Sequence, residues 1–210
     1  GNFTITVHGV ATDGTETEIA RKVIVTEGYG TVPAKEMQVV IGKATVTDGA
    51  ADISNIGENR VLSNRGDKDD DENMVIRTKA KLKSGSGYAV WVRAEMDSSK
   101  RLSAFALQYD PVYANAFILR NWYQGKECPT PVAKTAYNST FKEGDEHEIV
   151  VVAKGNSIWA TVDGKEVFRI NDVSKAVAAS NCGFPEPRGK RTGLRSWNGN
   201  SVEFREIEVD

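Results

Sequence analysis

Apolar and polar residues alternate with period two along most of the chain. Phe3, Ile5 and Val7 alternate with Thr4, Thr6 and His8, an Asp13-Gly14 pair follows, and Val23-Ile24-Val25 returns. That pattern predicts a hairpin, because side chains two apart share one face of a strand and Asp-Gly favours a tight turn. Gly28-Tyr29-Gly30-Thr31-Val32-Pro33 reads as a linker, since two glycines and a proline break any strand. From about Met37 a longer set of strands begins: Val39–Ile41, Ala44–Val46, Met74–Ala80, Tyr88–Glu95, Leu102–Tyr109, Phe117–Trp122, His147–Ala153, Ile158–Val162, Val167–Ile170 and Val202–Val209. Asp163-Gly164 joins two of them at a position suited to a type I′ turn. A helix fits only at Val173–Ala179, as a short turn. The expectation is an all-β chain: an antiparallel β-sandwich over residues 31–210, preceded by a short N-terminal β-hairpin and linker over residues 1–30.

The faces of three strands carry the functional reading. On Tyr88–Glu95 one face holds Trp91 and Arg93; on 104–110 the polar face holds Ala104, Ala106, Gln108 and Asp110; on 116–122 one face holds Ile118, Arg120 and Trp122. If these strands are neighbours, one sheet surface gathers Trp91, Arg93, Gln108, Asp110, Arg120 and Trp122, with a depression over the two alanines. Arg, Asp and Gln supply directed donors and acceptors for sugar hydroxyls, and an indole packs on the C–H face of a sugar ring. The alternative is a solvated sheet face with a Trp–Arg stack and an Arg–Asp pair.

Composition narrows the class. With 27 Lys+Arg against 29 Asp+Glu the net charge is −2, without the basic excess of a nucleic-acid protein. No apolar run approaches the ~18 residues of a membrane span, and no secretory signal is read within the chain. Cys128 and Cys182 are too few for a four-ligand zinc site; they can pair in an exported protein or stand as free thiols, and both readings stay open.

Other candidate chemistry is thin. Glu206, Glu208 and Asp210 recur at spacing two on the last strand, about 7 Å apart on one face, whereas a retaining glycosidase pair needs about 5–5.5 Å. A slip of apolar parity between Phe204 and Ile207 predicts a bulge near Arg205-Glu206. No catalytic residues are assigned: His147 reads as a surface residue at a strand start, and there is no nucleophile elbow or phosphate loop. The acidic run 67–73 could hold calcium through Asp69, Asp71 and Asn73, although such a run usually makes a solvated connection. The Pro/Gly-punctuated basic stretch 183–191 reads as a long ordered loop before the Gly193 strand; a simple connection is the favoured reading and a rim to the site the alternative.

Gly87–Ala94, Leu107–Pro111, Phe117–Trp122, Val162–Lys165 and Gly193–Trp197, in that order and followed by a terminal strand Val202–Val209, resemble the concanavalin A-like, laminin-G-like sandwich superfamily over roughly residues 37–210. The resemblance implies a jelly-roll sandwich that serves as a carbohydrate- or protein-binding module, with calcium in many members. Residues 1–27 are similar to the terminal strands of Gram-positive minor type IV pilins, some of which carry a laminin-G-like module; the pilin's hydrophobic helix is not within these residues. Together these readings set the expectation of a non-catalytic, lectin-like surface module on an exported pilus, acting as an adhesin. Trp91, Arg93, Gln108, Asp110, Arg120 and Trp122 would form its contact face, with Arg195 and Trp197 as rim. Its partners would be a glycan or host surface receptor and other pilin subunits. The alternatives are a glycoside hydrolase of the same fold and a structural or protein-binding sandwich.

Overall fold

The computed structural model describes residues 2–10, 16–24, 32–34, 37–53, 57–63, 73–110, 116–136, 143–197 and 199–210. The chain divides into two compact units, Gly1–Gly30 and Thr31–Asp210. The first is an antiparallel hairpin of β1 (Asn2–Val10) and β2 (Glu16–Ile24), in register from Asn2↔Ile24 to Val10↔Glu16.

The second unit runs, in chain order, through β3 (Val32–Pro33), β4 (Met37–Ile41), β5 (Ala44–Thr47), β6 (Ala50–Ile53), β7 (Asn59–Ser63), β8 (Met74–Ser84), β9 (Tyr88–Met96), β10 (Leu102–Asp110), β11 (Ala116–Tyr123), β12 (Lys126–Glu127) and β13 (Ala133–Ala136). It continues with β14 (Glu146–Lys154), β15 (Ser157–Val162), β16 (Lys165–Ile170), α1 (Val173–Ala179), β17 (Arg191–Ser196) and β18 (Ser201–Val209). Two antiparallel sheets form a sandwich. The front sheet has the order β12-β11-β10-β9-β17-β7-β4, with β13 on β11; the back sheet has the order β16-β15-β14-β8-β18-β6-β5, with β3 on β18.

Alternation explains the layers. Val90, Val92, Phe105, Leu107, Phe117 and Leu119 of the front sheet meet Ile76, Ala80, Ile149, Val151, Val202 and Phe204 of the back sheet in the main core. Tyr88 stacks edge-on against Phe204 across that core, at 5.7 Å between ring centroids. Strand-turn chemistry follows the residues: Asp163 and Gly164 both take positive φ, 50° and 73°, as a type I′ turn requires. Glu206 at φ 49° and the register step between Arg205 and Glu208 form the bulge that the parity slip predicted. The short helix α1 starts where Asp172 caps it, accepting from the Lys175 amide at 2.9 Å.

A second bulge lies in β9. Glu95 pairs with Ser103 and Val92 with Phe105, so Arg93 and Ala94 together face one residue of β10, and Arg93 takes φ 51°. Beyond this point the face parity of β9 is inverted. Cys128 and Cys182 are bonded, with their Cα atoms 5.8 Å apart. Among the described residues no helix is long and apolar enough to cross a membrane.

Candidate functional site

The outer face of the front sheet carries a second buried cluster, Leu62, Ala89, Trp91, Ala94, Leu102, Ala104, Ala106 and Trp122, with Trp197 packed against it. Registers set it in two rows. Arg120, Ala106, Trp91, Gly193 and Leu62 lie opposite one another across β11, β10, β9, β17 and β7; Ile118, Gln108, Ala89, Arg195 and Arg60 form the next row. The three strands assumed to be neighbours are neighbours. The small residues Ala89, Ala104, Ala106 and Gly193 open the space into which the Trp91 and Trp122 indoles fold, edge to face at 5.3 Å and 84°. Gly193 has no room for more: a Cβ there would lie 2.4 Å from the Val61 carbonyl oxygen and 2.7 Å from Leu62 Cδ2.

Above the indoles sits a layer of ion pairs. Arg195 lies 4.5 Å from the Trp122 centroid and 4.8 Å from that of Trp197, and Arg60 lies 5.4 Å from Trp122. Glu58, just before β7, accepts from both: Arg60 Nε at 2.8 Å, Arg195 Nε at 2.7 Å and Arg195 Nη2 at 3.2 Å. Glu127 on β12 pairs with Arg120 Nε at 2.7 Å and stands 4.0 Å from Arg195 Nη1. Arg195 thus links two carboxylates, each of them shared by two guanidinium groups. Burial pushes the Glu127 carboxyl above the usual range; Arg120 and Arg195 pull it back, and Asp110 and Glu58 add to the rise. The arginine side chains are 8–9% exposed and the two glutamates 29–30%, so the carboxylates are the more open members of the layer. Below them, Trp91 Nε1, Trp122 Nε1 and Gln108 Oε1 are buried with no hydrogen-bond partner among the described residues.

Most of the expected contact residues therefore come together, but in different roles. Trp91, Gln108, Arg120, Trp122, Arg195 and Trp197 belong to this layer, and Asp110 lies at its border, half-buried at the end of β10. Trp91 and Trp122 are not open stacking planes: each is 5% exposed or less, packed on the other and roofed by guanidinium groups. Arg93 is not on this face at all. The β9 bulge turns it away, fully buried, where its Nη1 donates to Glu186 at 2.9 Å and its Nη2 to the Gly155 carbonyl. Glu58, Arg60 and Glu127 were not anticipated. Glu127 had a local signal, since Gln124-Gly125 after Trp122-Tyr123 forms a hairpin turn that returns Lys126-Glu127 beside them. Glu58 and Arg60 had none, because β7 reaches the site only by pairing with the distant β17.

The calcium candidates Asp69 and Asp71 lie outside the described residues. Asn73 instead accepts from the Gly155 amide at 2.6 Å, and among the described residues no group of three or more His, Cys, Asp or Glu side chains could hold a metal ion. Of the acidic series on β18, Glu206 pairs with Lys79 at 2.6 Å on the outer face of the back sheet. The loop 182–190 is strapped down by Arg93–Glu186, by Ser174 Oγ donating to Glu186 at 2.7 Å, and by Asn121 Nδ2 donating to the Pro185 carbonyl at 3.0 Å.

Several solved structures share this architecture. The carbohydrate-binding module CBM66 from Bacillus subtilis superposes with a TM-score of 0.63 at 14% identity, over 84% of this chain and 96% of that one. A candidate glycosyl hydrolase from Parabacteroides distasonis gives 0.58 at 12% identity, over 80% and 83%. The exoplasmic/lumenal domain of VIP36, in its calcium- and mannose-bound form, gives 0.57 at 12%, over 85% and 83%. At these identities the likeness is one of fold. Comparison with curated protein sequences gives no match. None of these likenesses supports the pilin kinship of residues 1–27. The sandwich is a carbohydrate-related domain, and a family model covers residues 23–210: the chain belongs to the 3-keto-alpha-glucoside-1,2-lyase-like domain family.

Proposed function

We propose that this protein is a carbohydrate-binding module whose site is the Arg/Glu layer on the outer face of the front sheet. The observation that carries the reading is Arg195, which donates to Glu58 at 2.7 Å and stands 4.0 Å from Glu127, above two buried indoles. A sugar hydroxyl both donates and accepts, so vicinal hydroxyls fit between a carboxylate oxygen of Glu58 or Glu127 and a guanidinium N–H of Arg60 or Arg195. Recognition is by directed hydrogen bonds, with the indoles as a rigid floor. The structural kinship with a carbohydrate-binding module supports this reading. The Cys128–Cys182 bond supports a place outside the cytoplasm. No comparison supports a pilin, so the proposed function includes no pilus or adhesin role.

A second reading is favoured by the family assignment together with the raised Glu127 carboxyl. In a 3-keto-glucoside the C2–H is acidified by the C3 carbonyl. A carboxylate such as Glu127 would take that proton, a guanidinium would hold the charge that grows on the C3 oxygen, and the C1–O bond would break as the C1=C2 bond forms, its electron pair and a proton leaving with the aglycone. One experiment separates the two. The purified chain, Arg195→Ala and Glu127→Gln are run on a glycan array and, separately, incubated with 3-keto-glycosides while aglycone release is followed. Selective binding lost in Arg195→Ala and weakened but measurable in Glu127→Gln, with no turnover, supports the module; aglycone release abolished in Glu127→Gln replaces it with the lyase; neither binding nor turnover by folded protein sinks both.

A further inference from the structure

The part of the site that carries Glu127 rests on very little sheet. β12 is two residues long, lies at the sheet edge, and among the described residues pairs only through Trp122↔Glu127 and Tyr123↔Lys126. So short an edge strand is weakly held by its own ladder. The turn before it is tied to β10 only by hydrogen bonds, the Gly125 amide donating to the Leu102 carbonyl at 2.8 Å and the Gln124 amide to Ser103 Oγ at 3.1 Å among the described residues; the next residue adds a covalent constraint. The Cys128 amide donates to the Asn121 carbonyl at 2.8 Å, and Cys128 is bonded to Cys182. Arg120 grips the same segment: its Nη1 donates to the Cys128 and Pro129 carbonyls at 2.9 and 2.7 Å while its Nε holds Glu127. Beyond Cys182 the chain is itself anchored through Pro185 and Glu186. Glu127 therefore stands one residue from a covalent tie between the sheet edge and a strapped loop.

We infer that the Cys128–Cys182 disulfide positions Glu127 in the site, so that the redox state of this bond sets the affinity of the site. The inference rests on the carbohydrate reading of the Arg/Glu layer. Opening the bond requires a dithiol reductant. Its thiolate attacks the sulfur of half-buried Cys182, the S–S bond breaks, and the buried Cys128 leaves as a thiolate that takes a proton. The second thiol of the reductant then displaces Cys182, which is protonated in turn, and the reductant departs as a cyclic disulfide; two electrons and two protons have passed to the protein. The two-residue strand then frays, and Glu127 moves toward water and away from Arg120 and Arg195.

The groups facing Glu127 are Arg120 on β11, Arg195 on β17, Asp110 on β10 and Glu58 before β7. Burial outweighs the arginines in the closed form, so release to water returns the carboxyl toward its ordinary value. This gives a readout that needs no sugar.

The test compares the oxidised protein, the same protein reduced with dithiothreitol, and the Cys128→Ser/Cys182→Ser double variant. Each is titrated with a neutral oligosaccharide that the oxidised protein binds on an array. Reduction and the double variant are expected to weaken binding about tenfold, the cost of re-ordering a freed segment on binding. Glu127→Gln is expected to bind equally in both redox forms, giving a non-additive cycle. Equal affinity of oxidised and reduced protein overturns the inference, as does an additive cycle. Backbone hydrogen exchange accompanies the titration: loss of protection confined to the segment around Lys126–Glu127 supports it, and global loss overturns it. If the oxidised protein binds no glycan, the carbohydrate reading fails, and the positioning role is decided by carbon-detected NMR titration of Glu127. A carboxyl pKa that falls on reduction upholds the role, and an unchanged one overturns it.

Discussion

The guanidinium of Arg195 lies over the Trp122 ring at 4.5 Å while its Nε donates to Glu58 at 2.7 Å. One side chain thus roofs the indole floor and organises the carboxylates. A planar fork does both at once; an ammonium group cannot donate side by side to a carboxylate while lying flat on a ring.

Arg195→Ala is therefore expected to cost about 2–4 kcal/mol, since it removes a nearly buried guanidinium that roofs Trp122 and leaves Glu58 with one partner and Glu127 with one. Arg195→Lys keeps the charge and is expected to recover less than half of that loss. Urea denaturation checks both values, and glycan binding by Arg195→Lys below a tenth of wild type would confirm that geometry matters beyond charge.

Acid–base behaviour separates two carboxylates. The Glu127 carboxyl is raised by burial, so its protonated form is favoured by folding. Its contribution to stability is present below the ordinary value of 4.5 and is lost as pH rises through the raised folded value. Asp97 has the opposite sign: the Arg101 amide donates to it at 2.9 Å, and the other Arg101 and Ser99 bonds help to hold its carboxyl below 3.8. Its contribution is present above that value and is lost as the medium becomes more acidic. Stability measured against pH in wild type and Glu127→Gln should therefore diverge from about pH 4.5 upward, with the wild type falling relative to the variant. Curves that stay parallel over that range would show Glu127 to titrate normally.

Close packing of the floor gives a third prediction. Gly193 lies opposite both Trp91 and Leu62, and a Cβ would meet backbone as well as side chain. Gly193→Ala should cost about 1–3 kcal/mol through displacement of Leu62 and strand β7. Because β7 follows Glu58, binding should weaken along with stability. A stable variant with unchanged binding would mean that β7 shifts without consequence.

The sandwich was legible because alternation with punctuating glycines is a local signal, and so were the neighbouring hairpin strands that bring Gln108, Arg120 and Trp122 to one face. What failed was counting by two through Arg93. One extra residue inverts parity, and nothing in Trp91-Val92-Arg93-Ala94-Glu95 announces it. Burial of the indoles was hidden for another reason: a half-polar outer face looks solvated until arginines from β7 and β17, far apart in the chain, are seen to roof it. Glu58 and Arg60 enter by that non-local pairing, which no periodicity records.

Arg93 shows what the displaced residue does instead. It is fully buried, its partner Glu186 has a side chain only 10% exposed, and Nη2 reaches the Gly155 carbonyl. Removing one partner from such a pair strands the other, so Arg93→Ala is expected to destabilise by about 3–5 kcal/mol. Replacing both with apolar residues of similar size, Arg93→Met with Glu186→Leu, removes both charges together and should recover most of the loss. Ser174 also donates to Glu186, so recovery should be incomplete. Glycan binding gives the second arm: Arg93 lies off the Arg/Glu face, and the double variant should bind as the wild type does once folded. A double variant as unstable as the single one would mean that the pair is needed to hold the β9 bulge, and a folded one without binding would place Arg93 among the residues that shape the site.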